Sequence, residues 1–308
     1  MTLSLRATYR IQFHKDYTLY DAISLVPYLK KLGISHIYAS PLLASASGSL
    51  HGYDTISWDF IDSERGGEKG LLALVEALRA HDMGLILDIV PNHMTTNPQN
   101  AWWQDVLQYG RESQYAYYFD INWSVSAEQE THKIILPFLE KSLEEILEDQ
   151  KIRVSYQENT HSFVITYEDK VFPLAPESLS DTEKELFADF FNPETLEGKS
   201  NLLALLQKQH YQLVWWQTAG DLLNWRRFFD VTALIALRME RPEVFARTHA
   251  YMFDLYRRGL IDGVRVDHVD GLLQPARYCQ ALLQTLNALT PERPENQREA
   301  PIIFVEKI

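Results

Sequence analysis

Gly84-Leu85-Ile86-Leu87-Asp88-Ile89-Val90-Pro91-Asn92-His93 is the stretch from which the architecture is read. Residues 84–90 are apolar at nearly every position, on both alternating faces of an extended chain. Such a run is expected of a strand covered on both sides, as in a parallel sheet flanked by helices. Its end turns abruptly polar, giving a carboxylate, an amide and an imidazole within six residues.

Working outward, residues 7–13 and 34–39 read as two earlier strands. Between them, residues 19–32 place Leu19, Ala22, Ile23, Val26, Leu29 and Leu32 at a helical period, closed by Gly33. Residues 70–81 form a second helix, with Leu71, Leu72, Val75 and Leu78 on one side. The same pattern returns late. A helix over 242–258 begins at Pro242, residues 259–263 turn into a strand over 264–267, a helix covers 275–289, residues 290–300 are a polar loop, and 301–308 open a further strand. Strands alternating with helices imply a parallel β/α architecture. One crossover needs only about 30 residues, so the passage from Asp88 to Asp267 holds an insertion on the order of 140 residues, 94–240. The expected division is 1–93 for the first part of the sheet domain, 94–240 for the insertion and 241–308 for its continuation. Within the insertion, residues 102–109 read as a helix, 152–173 as a small hairpin and 202–225 as a helical, aromatic segment. There is no internal repeat or low-complexity run.

The chain has 308 residues, 46% of them apolar and 23% charged, an ordinary globular mixture. With 42 acidic and 29 basic side chains its net charge is −13, which disfavours a nucleic-acid partner and suits a neutral substrate. Aromatic residues reach 12%; most belong to the core, and some are available to stack on sugar rings. Cys279 is the single cysteine, so no internal disulfide forms and a reducing compartment is expected. Met1 to Arg6 carry no apolar signal core, and no stretch is long and apolar enough to span a membrane. Cytoplasmic residence is the resulting expectation.

Chemistry concentrates at the carboxyl ends of three expected strands, where β/α barrels place their active sites. Asp88 and Asn92 alone could be helix caps; His93 beside them favours a site. In Arg265-Val266-Asp267, alternation puts the Arg and the carboxylate on one face. The Arg is expected to keep Asp267 ionised, as a glycosyl-forming nucleophile must be; a buried structural ion pair is the weaker reading, because such a pair needs further hydrogen bonds. Glu306, at the end of Phe304-Val305, is a weak signal alone and gains weight from the other two. Two carboxylates flanking a sugar bond are what glycoside chemistry requires, one to attack and one with a raised pKa to protonate the leaving oxygen. A fourth cluster, Ser49-Leu50-His51-Gly52-Tyr53-Asp54, offers Tyr53 as a stacking ring or simply as a cover for the sheet's mouth.

In Asp88–His93, Arg265–Asp267 and Glu306, taken in order, the sequence resembles the α-amylase superfamily of glucan-active barrels. The resemblance implies an α/β fold, an incomplete TIM (β/α)8 barrel of about the first five strands with a large α+β insertion after strand 3. It implies Asp267 as nucleophile and Glu306 as general acid/base. Asp88, Asn92, His93 and Arg265 would line the cleavage subsite with Tyr53 as platform, alongside His51, Asp54, His268 and Asp270. Thr8-Tyr9-Arg10-Ile11-Gln12-Phe13-His14, Tyr38-Ala39-Ser40-Pro41, His51-Gly52-Tyr53-Asp54, Asn224-Trp225-Arg226-Arg227-Phe228-Phe229-Asp230, Asp267-His268-Val269-Asp270-Gly271 and Val305-Glu306-Lys307-Ile308 are similar to the maltooligosyltrehalose-forming branch of that superfamily. That branch rearranges the reducing-end α-1,4 link of a maltooligosaccharide into an α,α-1,1 link, an intramolecular transfer that needs no cofactor.

Ordinary amylases carry a Lys-His pair three and four positions after the nucleophile, where this chain has Asp270 and Gly271. The resemblance puts a third carboxylate and further strands beyond Ile308. The sequence is therefore expected to be a fragment or part of a split enzyme, weak or inactive alone, with the remaining C-terminal part as its partner besides the glucan. No metal is expected, although analogy with amylases leaves calcium near Asn92 open. An ordinary α-glucan hydrolase and a non-catalytic glucan-binding module stand as alternatives.

Overall fold

The computed structural model describes residues 4–124, 133–158 and 160–307. Met1 to Leu3 at the start, and Ile308 at the close of the last motif, lie outside the described residues, as does part of the expected insertion. The chain divides into two compact units, Met1–Thr95 with Leu237–Ile308, and Thr96–Ala236.

The first unit is built on five parallel strands: β1 (Thr8–Ile11), β2 (His36–Ala39), β3 (Gly84–Ile89), β4 (Gly263–Val266) and β5 (Ile302–Val305), side by side in that order. The connecting helices are α1 (Leu19–Ile23), α2 (Val26–Lys31), α3 (Gly67–Ala80), α4 (Pro242–Arg257) and α5 (Pro275–Leu289). All six residues of β3 are buried, as its apolar sequence requires. The sheet is not closed into a barrel.

The helix expected over 19–32 is two helices. Pro27 sits in the first turn of α2; it lacks an N–H and its ring opposes the preceding turn, so a continuous helix would lose its ladder there. A capping box between Thr18 and Asp21 starts α1. α3 buries Leu71, Leu74, Val75 and Leu78 at helical spacing, each worth about 1.5–3 kcal/mol of transfer free energy.

A buried ionic cluster fixes the amino ends of β3 and β4. Arg79 from α3 bonds both carboxylate oxygens of Asp262, at 2.9 and 3.0 Å. Arg293 reaches Asp262 Oδ1 at 3.1 Å, and the Leu85 amide donates to Oδ2 at 2.8 Å. With the strand starts tied, Asp88 and Arg265 fall in direct register on β3 and β4.

The second unit contains a helix, Ala101–Tyr109, capped by Asn100, and a parallel pair, Ile134–Leu139 with Tyr211–Trp215. The hairpin expected over 152–173 is a three-stranded antiparallel sheet, Ile152–Gln157, Ser162–Tyr167 and Lys170–Pro173. The expectation that 202–225 is helical holds at its start and again over the short turns Trp216–Thr218 and Ala219–Leu222, but not between them. The helix Leu196–Gln207 ends early, and Tyr211–Trp215 is a strand. Tyr211, Leu213 and Val214 are buried while Gln212 is exposed, and pairing with Ile134–Leu139 outweighs the helix-like composition. Asn224 and Trp225 serve this unit's core: Asn224 pairs with the backbone at Lys133 and Ile135, and Trp225 Nε1 donates to Ile135 O at 2.7 Å.

Candidate active site

The carboxyl ends of the five strands carry the site, all within the first unit. Arg265 lies at its centre. Its Nη1 donates to Asp88 Oδ1 at 3.0 Å and to Asp267 Oδ1 at 2.6 Å. Its Nη2 lies 2.7 Å from Glu306 Oε1. One guanidinium therefore spans three strand ends and holds three carboxylates. The backbone continues the ladder past the strands, with the Asp267 amide bonded to Ile89 O and the Glu306 amide to Val266 O, so both side chains leave from fixed positions.

The other Glu306 oxygen, Oε2, accepts from the His268 amide at 2.8 Å. His268 achieves this in the left-handed conformation, φ 45°, an uncommon state for a side chain other than glycine. Asp88 is fully buried at its side chain. Its Oδ2 accepts hydroxyl hydrogens from Tyr38 at 2.8 Å and Tyr53 at 2.7 Å. Asn92 and His93 are buried beneath Tyr53; their side chains lie 3.3 Å apart, and His93 Nε2 is 3.1 Å from Tyr53 O.

The loop that presents Tyr53 is anchored from below. Gln12 donates to Leu50 O at 2.7 Å, and buried Arg65 donates to Phe13 O and Ser49 O while pairing with Asp62. At Gly52, φ is +83° and a Cβ would meet Pro41 O at 2.7 Å, so only glycine fits. His51 stacks on Tyr53 with ring centroids 6.0 Å apart.

Burial pushes the Asp267 carboxyl up to about 6, although Arg265 pulls it down. The ionised state expected from sequence at neutral pH is therefore kept, although loss of water outweighs the pairing with Arg265 and lifts the group above the ordinary carboxylate range. Asp88 is likewise raised by burial against the pull of Arg265 and both tyrosines. Burial and the facing Asp88 carboxylate push the Tyr53 phenol up to about 12 and raise Tyr38 as well, so both remain donors.

The structure thus brings Asp88, Arg265, Asp267, Glu306, Tyr53 and the His268 amide together, with Asn92 and His93 behind Tyr53. Two expected site residues are bonded to groups other than the three carboxylates and Arg265. Asp54 accepts from Ser49 Oγ at 2.5 Å, which holds the loop turn. Asp270 is exposed and pairs with Lys307 at 2.7 Å. Tyr38 and Arg10 were not singled out as site residues from sequence, yet Tyr38 bonds Asp88 and Arg10 bonds Tyr53. The usable signal was alternation. Arg10 and Tyr38 are in register on β1 and β2, and a half-buried phenol on a central strand needs a partner. Among the described residues no group of three His, Cys, Asp or Glu side chains could hold a metal ion, and no helix is long and apolar enough to cross a membrane. A buried anion beside a second, partly exposed carboxylate, both tied to one cation, is an arrangement able to attack a glycosidic carbon and to exchange a proton with the leaving oxygen.

Residues 18–170 match the alpha-amylase catalytic domain. The chain is 37% identical over 293 residues to a putative maltooligosyl trehalose synthase of Mycobacterium tuberculosis, covering 93% of this chain and 34% of that protein. The structure of maltooligosyltrehalose synthase from Arthrobacter ramosus superposes with a TM-score of 0.80 at 37% identity, covering 98% of this chain and 34% of that one. A hypothetical maltooligosyl trehalose synthase from Sulfolobus tokodaii superposes at 0.76 with 32% identity, covering 99% of this chain and 36% of that one. The chain spans about a third of the length of these relatives. It is a relative of the maltooligosyl trehalose synthases, with a partial TIM-barrel-type fold of the alpha-amylase kind.

Proposed function

We propose that the protein acts on α-1,4-glucans and rearranges the reducing-end link of a maltooligosaccharide into an α,α-1,1 link by a retaining double displacement, as part of trehalose formation. Asp267 attacks the anomeric carbon of the penultimate glucose. The bond to the terminal glucose breaks as Glu306 gives its proton to the departing oxygen. The terminal glucose stays in the site, turns, and presents its anomeric hydroxyl. Glu306 takes that proton while the hydroxyl oxygen attacks, releasing Asp267. Two inversions give retention, no water is consumed, and no cofactor is needed. Holding the freed glucose gives it an effective concentration that outcompetes water. Asp88, Asn92, His93 and Arg265 hold the reacting sugar, and Tyr53 offers it a ring face. Glu306 bonds Arg265 and the His268 amide with its two oxygens, so entering substrate must displace one of these for the proton to reach the sugar.

The observation that supports the reading best is Arg265 holding Asp267 and Glu306 at once. The test is incubation of the protein with maltopentaose, with the C-terminal part that the relatives carry supplied alongside, following reducing ends and product mass together. Loss of reducing ends at unchanged mass is expected. A rise in reducing ends with chain shortening would show hydrolysis and overturn the proposal. Tight binding without turnover, even with the remaining C-terminal part of the relatives supplied, would leave a glucan-binding module instead.

A further inference from the structure

We propose that Arg10 is a positioning residue for the glucan site, acting through the Tyr53 hydroxyl; the inference rests on the reading of Tyr53 and Asp88 as sugar-holding groups. The phenol of Tyr53 has one hydrogen, and it goes to Asp88 Oδ2 at 2.7 Å, because an ionised carboxylate can only accept. The lone pairs of the same oxygen are then open to a donor, and Arg10 Nη2 supplies one at 3.3 Å. The result is a directed chain from Arg10 to Tyr53 to Asp88. A cationic donor at its head polarises the phenol and strengthens the bond that the phenol gives.

Arg10 is itself fixed. It projects from β1 in register with Tyr38 on β2, and its guanidinium lies 5.5 Å from the centre of the Tyr38 ring. Tyr38 is the second phenol bonded to Asp88 Oδ2. One side chain thus touches both tyrosines that hold this carboxylate, although it touches none of the three carboxylates. Its geometric task is to keep the Tyr53 ring, carried on a loop, turned toward Asp88 before sugar arrives. Arg10 is exposed, and methionine keeps the apolar length of its stem, so the substitution opens no core cavity. Lysine does not replace it, since an ammonium on a flexible stem cannot reach the phenol and lie against Tyr38 together.

The experiment is a double-mutant cycle with Arg10→Met, Tyr53→Phe and the double variant, with Arg10→Lys as a fourth protein. Each is assayed for kcat and KM on maltopentaose and for Tm. Arg10→Met is expected to lower kcat/KM about tenfold in the native background and less than about twofold when Tyr53 is already Phe. Tm should change little, and Arg10→Lys should fall with Arg10→Met. An equal loss in both backgrounds would show that Arg10 does not act through the Tyr53 hydroxyl and would overturn the inference. So would full activity in Arg10→Lys. The cycle can be read on rearrangement, on hydrolysis, or on maltopentaose affinity by calorimetry. Failure of the proposed rearrangement, visible in the unsubstituted protein's products, is therefore distinguishable from failure of the role given to Arg10.

Discussion

Arg265 reaches from β4 to Glu306 beyond the end of β5, Nη2 to Oε1 at 2.7 Å, while its Nη1 holds the two carboxylates at the ends of β3 and β4. The fork geometry of a guanidinium makes this feasible; a point charge could not serve three strand ends. The three carboxyl groups lie close together because one guanidinium bonds all of them.

Activity should report the raised Asp267. A nucleophile must be ionised, and burial lifts this carboxyl to about 6. The acid limb of kcat/KM is predicted to break near pH 6, losing tenfold per unit below it. A pH profile on maltopentaose checks this. A break near 4, the ordinary carboxylate range, would show that burial does not raise this carboxyl in the working enzyme.

The same displacement has a stability consequence opposite to that of most paired carboxylates. The folded value lies above the ordinary one of 3.8, so the native state binds the proton more tightly than the unfolded chain. That contribution to folding is complete below the unfolded value and is lost as pH rises through about 6. Above neutrality Asp267→Asn, which is neutral and similar in shape, is predicted to stabilise the protein by on the order of 1–3 kcal/mol. Urea unfolding near pH 8 and again near pH 4.5 should show this gain shrinking on the acid side. A gain of the same size at both would contradict it.

Arg265→Met leaves Asp88 and Asp267 buried without their cation. A loss of about 3–5 kcal/mol at neutral pH is expected, partly recovered in acid as the carboxyls take up protons. Urea unfolding across pH measures it; a loss below about 1 kcal/mol would mean that the pairing is dispensable.

Gly271→Ala probes the loop after Asp267. An added Cβ would lie 2.3 Å from His268 Cδ2 and 2.7 Å from Asn92 Oδ1. Either the His268 ring or the loop itself must give way, and a loop shift displaces the amide that holds Glu306 at 2.8 Å. A drop in kcat of about tenfold or more is predicted, since small misplacements of reacting groups are costly. Unchanged kcat would show that the amide contact is not needed.

Much of this was legible in the sequence because local pattern and tertiary demand agree. The strands 84–90 and 264–267 were apolar with polar ends, and the parallel sheet forms around them. Asp88, Arg265 and Asp267 share a face by alternation and register. The break before Pro27 was readable but was overridden by the regular apolar spacing on either side. The strand Tyr211–Trp215 was hidden because its partner, Ile134–Leu139, lies far away in sequence and composition alone resembles a buried helix. The raised Asp267 was beyond reach, since burial is a property of the assembled site. Arg10 and Tyr38 required the register of β1 on β2, which alternation suggests only once the neighbours are known.

The account rests on Asp267 forming a covalent bond to glucose while Glu306 handles the proton. A fluorinated α-glucosyl fluoride that forms the glucosyl-enzyme but releases it slowly tests this directly, with the labelled peptide located by mass spectrometry. The account predicts one glucosyl unit on the peptide containing Asp267, absent in Asp267→Asn. Label on Glu306 or elsewhere, or turnover with inverted anomeric configuration and no adduct, would contradict it.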